Sequence, residues 1–203
     1  MELVKYNNNS IANVTSLASM PSGDFVKLTT NTISSGVSSS SFTSNIDGTY
    51  RVYLFKFINI HGATDNADFT VNFSSDGGSN YNLNKTTTWN GAYHQETGGS
   101  PALSKETSND LVNGSGYQIL AKDPHAADAD GSTNGELYLF NPYDSTTVKQ
   151  FLSTVNFMAD NYSYNAYIAG FINATDAVNA VDFKFASGNI DSGVIKMYGL
   201  RLS

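Results

Sequence analysis

Three histidines, His61, His94 and His125, are the side chains best suited to metal ligation or to proton transfer near neutral pH. They fall in three separate stretches, and no HxH, HxxxH or HExxH spacing seats two of them on one element. His94, in GAYHQE between aromatic neighbours, is the most site-like. Its plainer reading is a histidine bonded to backbone at a strand end. The acidic run from Asp123 to Glu136 invites a calcium reading. With Gly131 at the sixth position of an EF-hand loop, however, Ala126 falls at the first and Leu137 at the twelfth, where oxygen ligands are required. A calcium site outside that pattern would use Asp128, Asp130 and Asn134; the alternative is a solvated acidic loop. Glycoside hydrolysis needs two carboxylates about 5–10 Å apart, a separation that only the fold can set. Asp68 and Asp182 are the clearest acids in strand-like segments, and nothing further recommends them. GSGYQ at 114–118 precedes no helix, and no GxSxG elbow or P-loop is present. No catalytic, cofactor-binding or metal-ligating residue is assigned, and no cofactor is expected.

The elements that would have to position these residues are strands. Period-two alternation dominates. Residues 50–60 (YRVYLFKFINI) carry large apolar groups on both faces, which predicts a central strand. Residues 67–74 (ADFTVNFS) alternate Phe69, Val71 and Phe73 against Thr70 and Asn72. Asp76-Gly77-Gly78 follows, then YNLNKTTTW, a pattern that predicts a hairpin whose turn glycines supply positive φ. Further strands are expected at 24–32, 37–43, 136–141, 148–158, 164–173, 179–186 and 193–202, with 148–158 and 164–173 joined across Ala159-Asp160-Asn161. No stretch gives a convincing amphipathic helix. Residues 102–112 are expected to form at most a helical turn inside a long connection from about Gly91 to Ser115. A faint repeat relates FINIHGATDNADF (57–69) to FINATDAVNAVDF (171–183), either by pseudo-symmetry or by chance in a narrow alphabet. The fold class is all-β: a β-sandwich of jelly-roll or Greek-key type with about nine or ten strands. Residues 1–24 are expected to form a short extended arm that anchors to a neighbour, and 25–203 the sandwich domain.

Composition narrows the function. At 203 residues the chain fits one domain with a sizeable core. It has no cysteine, which excludes disulfides, thiolate metal sites and thiol nucleophiles. Eleven basic residues against eighteen acidic ones give a net charge of −7, with no basic run, so no nucleic-acid partner is expected. No apolar run approaches the roughly 20 residues of a membrane helix, and MELVKYNNNS shows no Sec-type pattern. Charged residues make up 14%, while Ser, Thr and Asn together are about a third of the chain. Sequons begin at Asn8, Asn13, Asn72, Asn84, Asn113, Asn161 and Asn173, a frequency this alphabet produces by itself.

Several blocks carry a resemblance: KYNNNSIANVTSL, YLFKFINIHGATDNADFTVNFSSDGGSNYNLNKTTTW, GELYLFNP and, most strongly, AVDFKFASGNIDSGVIKMYGLRL. As a set they resemble small virion structural proteins of marine tailed bacteriophages, above all those infecting cyanobacteria. The resemblance implies a jelly-roll or β-sandwich module serving as a capsid decoration (cement) protein or a short head or tail fibre protein. It implies no catalytic residue and no enzyme activity. Expected partners are other virion proteins and sister copies, in a trimer or another closed oligomer, with assembly in the bacterial cytoplasm and residence in the virion. The alternative is a receptor- or carbohydrate-binding module at a tail or fibre tip, with Trp89, Tyr93, Tyr117, Tyr143 and Tyr162 as sugar-stacking loop aromatics.

Overall fold

The structure, a computed structural model, describes residues 25–99 and 101–200. The expected N-terminal arm, 1–24, lies outside the described residues. Twelve strands follow in order: β1 (Phe25–Ile33), β2 (Ser40–Phe42), β3 (Val52–Gly62), β4 (Phe69–Ser74), β5 (Lys85–Gln95), β6 (Ala102–Lys105), β7 (Gln118–Ala121), β8 (Thr133–Phe140), β9 (Lys149–Ala159), β10 (Tyr162–Ile172), β11 (Ala180–Phe185) and β12 (Ile190–Leu200). A 3-10 turn at Thr107–Asn109 is the one helical element among the described residues.

The strands form two antiparallel sheets packed face to face, a β-sandwich. One has eight strands in the order β1-β12-β3-β8-β9-β10-β5-β6, the other four in the order β2-β11-β4-β7. Pairs β2/β11, β4/β7 and β5/β6 are nested one inside another in sequence, as in a long hairpin rolled up. This is jelly-roll winding. The remaining nested pair, β3 and β10, is held apart by the β8–β9 hairpin, which widens the larger sheet.

Alternation along the strands makes the core. Phe69, Val71 and Phe73 of β4 and Val181, Phe183 and Phe185 of β11 point from the small sheet toward Phe55, Phe57, Phe151 and Phe157 of the large one. Phe183 is the hub. Its ring centroid lies 5.1 Å from Phe57, 5.4 Å from Phe55 and 6.2 Å from both Phe42 and Phe69.

Several expectations hold and others are corrected. β3 is central, between β12 and β8. β9 and β10 form the expected hairpin, with Ala159 opposite Tyr162 and Asp160 at φ 53; short polar Asp tolerates that left-handed turn position. Among the described residues there are twelve strands rather than nine or ten. The predicted hairpin across Asp76-Gly77-Gly78 does not form, because β4 lies in the small sheet and β5 in the large one. The glycines do turn the chain, at φ 73 and 90. Asp76 then accepts hydrogen bonds from Ser74 Oγ, the Asn80 backbone and Asn80 Nδ2, and Asn72 Nδ2 donates to Tyr81 O. Those bonds hold 76–81 as a loop that carries the chain from one sheet to the other. The long connection after Gly91 is also shorter than expected: β5 runs on to Gln95 and 102–105 is an edge strand, while the helical turn expected within 102–112 forms at Thr107–Asn109. The repeat has a structural counterpart. Both copies leave the large sheet (β3, β10) through an Ala-Thr-Asp turn and enter the small one as β4 and β11, which pair.

Candidate functional site

The candidate chemistry is dispersed. His61 lies in β3 opposite Ser192, His94 in β5 opposite Ser163, and His125 in a loop with Nδ1 3.6 Å from Asp128 Oδ2. Among the described residues no group of three His, Asp or Glu side chains is placed to hold a metal ion. Asp128 and Asp130 are exposed, whereas Asn134 is spent locally: its Oδ1 accepts the Asn59 N–H and its Nδ2 donates to Ser132. Asp68 accepts the Asp123 N–H, and burial raises its carboxyl above the usual range. Asp182 is buried on β11, where it accepts bonds from Ser41 and Tyr117. Because Ala186 N–H bonds Asp68 O, the two acids sit four residues apart along paired strands, or about 13 Å at ~3.3 Å per residue. That exceeds the reach of a glycosidase pair.

The expected aromatic platform does not assemble. Trp89 is a strand residue, 0% exposed, with its ring 6.0 Å from Tyr164. It belongs to the inward row of β5, beside Gly91, where a Cβ would come within 2.8 Å of the indole. Tyr117 donates its hydroxyl to Asp182. Tyr93 stacks on Tyr164 at 5.0 Å and meets Tyr162 edge-on, near the β9–β10 turn. Tyr143, in the β8–β9 connection, lies at the opposite end of the sheet.

What the fold does present is a face. Residues of the large sheet that point away from the core fall into cross-strand rows. One row runs Phe25, Leu200, Val52, Phe140, Gln150, Phe171 across β1, β12, β3, β8, β9 and β10. The next runs Lys27, Tyr198, Leu54, Tyr138, Leu152, Ala169. Leu152 is 50% exposed and Phe25 46%, and the Tyr138 and Phe140 rings lie nearly parallel. At a strand spacing of about 4.8 Å and a rise of ~3.4 Å per residue, the two rows cover on the order of 400 Å². Patches of that size on soluble proteins often mark contact sites. A third row, Thr30, Lys196, Lys56, Glu136, Thr154, Tyr167, borders them with a Lys56–Glu136 ion pair and a Tyr167 that is 47% exposed. Sequence reading missed this face because apolar groups on both sides of a strand signal double burial. Here one side packs the core, while on the other Leu54 is covered, Val52 and Lys56 are half-buried and Ile58 is exposed.

Two lysines point the other way. Lys85 and Lys149 begin β5 and β9, both opposite Ile172, and both are buried. Lys149 Nζ donates to the carbonyls of Thr147, Ala174 and Thr175, clipping two loops together. Desolvation holds its ammonium below the usual lysine value of 10.5. Folded chain therefore binds fewer protons at Lys149 than unfolded chain between those two values, and stability rises with pH through that window up to 10.5. Melting temperatures across alkaline pH should climb less steeply in Lys149→Met than in the native chain. Equal slopes would refute this.

Among the described residues no helix is long and apolar enough to cross a membrane. No family model, curated protein or solved structure matches the chain.

Proposed function

We propose that this chain is a non-enzymatic virion structural protein, a capsid decoration or short head or tail fibre module, acting through protein–protein contacts. The observation that carries the reading is the apolar outer face of the large sheet. The two rows, apolar or aromatic at ten of their twelve positions, span roughly 400 Å², about half the ~800 Å² that each partner contributes to a stable interface. The bordering row of Lys196, Lys56, Glu136 and Tyr167 supplies a polar rim of the kind such interfaces carry. The occupant is a sister copy of the same chain, in a closed oligomer.

Composition supports the same reading. A cysteine-free chain assembles in a reducing cytoplasm without changing its bonding. With 14% charged residues, it depends little on surface ion pairs, which salt screens to about 3 Å near 1 M. The blocks that resemble marine phage proteins give the particle its identity. The glycan-binding alternative loses its strongest residue with Trp89 buried.

The test is cryo-electron microscopy of purified particles, with mass spectrometry of the same preparation. Density for this sandwich at a symmetry-repeated position on capsid, head fibre or tail is the expected result. Absence of the chain from purified virions would overturn the proposal.

A further inference from the structure

Lys85 differs from Lys149 in one respect. Its Nζ donates to the Leu83 carbonyl at 2.8 Å and, at 2.6 Å, to Oδ1 of a side-chain amide, that of Asn72. Lys85 is 0% exposed and Asn72 1% exposed, so the contact is dry. The amide is fixed on every side: Oδ1 also accepts the Phe73 N–H at 2.9 Å, and Nδ2 donates to Tyr81 O at 2.6 Å and to Ser115 O at 3.0 Å. The carboxamide carbon is thus one bond beyond the atom that Nζ already touches.

We propose that Lys85 and Asn72 condense to an intramolecular isopeptide bond. The Nζ lone pair attacks Cγ of Asn72, and the carbonyl oxygen takes up the charge against the Phe73 N–H. The Cγ–Nδ2 bond then breaks. A proton passes from Nζ to the departing nitrogen within the adduct, and that nitrogen leaves as ammonia. No atom is oxidised or reduced and no co-reactant is consumed. Two conditions favour the step. Buried contact supplies the orientation that makes intramolecular reactions fast. Desolvation also brings the Lys85 ammonium down to about 7, so much of it is the nucleophilic amine at neutral pH. The product ties β4 of the small sheet to β5 of the large one, at the crossing where the chain changes sheets. In a chain without cysteine it is a covalent staple. It stands independently of the virion proposal.

The experiment is mass spectrometry of the purified full chain before and after trypsin. Expected results are an intact mass short by one ammonia, no cleavage after Lys85, and a 57–105 peptide short by one ammonia whose fragments place the link between Asn72 and Lys85. Cleavage after Lys149, which has only backbone carbonyls as partners, should proceed normally. Asn72→Ala and Lys85→Arg should each restore full mass, the latter with cleavage at residue 85. A native chain of full mass, or one short of ammonia yet cleaved after Lys85, would overturn the proposal without any variant having to fold.

Discussion

Replacing Phe183 with alanine should lower the stability of the fold by about 3–5 kcal/mol, the range for deleting a buried aromatic ring. The ring touches aromatic side chains from both sheets: Phe42 and Phe69 belong to the small sheet, and Phe55 and Phe57 to the large one. Its loss leaves a cavity that no single neighbour can fill, because those rings are themselves fixed by strands on two sides. For a domain of this size each kcal/mol shifts the melting temperature by roughly 2–4 °C, so a fall of about 6–20 °C is expected. Thermal and denaturant melts of the native and Phe183→Ala chains measure it. A loss under about 1 kcal/mol would mean the sheets do not pack through this residue.

The second large effect is on association. Leu152 sits mid-strand on β9, between Tyr138 and Ala169 in the apolar row, and is half exposed. Leu152→Glu removes little buried area within the fold, so the melting temperature should barely move. In an interface built on this face, the carboxylate would have to be desolvated opposite apolar side chains. A loss of about 2 kcal/mol, typical of an interface hot spot, weakens association roughly thirtyfold. Sedimentation or light scattering over a concentration series should find the native chain oligomeric and the variant dissociated. A monomeric native chain, or a variant that associates equally well, would remove the sister copy as the occupant of this face.

Much of the fold is legible in the residues themselves. Alternation in 67–74 and 179–186 marks β4 and β11, and Asp160 announces the β9–β10 turn. Partners are less legible than strands. Gly77 and Gly78 encode a change of direction, but whether the next strand returns to the same sheet depends on hydrogen bonds such as Asn72 to Tyr81, formed only when the loop closes. β6 is not legible because its four residues, Ala102-Leu103-Ser104-Lys105, are too few and too mixed to show a period. The site followed the same pattern. Trp89 shares a face with Lys85 and Thr87, yet period two does not say which face looks inward. The Asn72–Lys85 contact has no motif at all: thirteen residues separate them, and in sequence one is a sequon and the other a lone charge.

The nested winding also governs when the chain can fold. β11 lies between β2 and β4, and β12 between β1 and β3, so residues 180–200 occupy interior positions in both sheets. Ser41 meets Asp182 across 141 positions of sequence. Closing such loops is slow, which places the domain among those that fold in milliseconds to seconds rather than microseconds. During synthesis, the strands made first have no lasting neighbours until residues 180–200 have left the ribosome. Until then the edges of β2, β3 and β4 that receive β11 and β12 stay open, and the domain waits on residues 180–200.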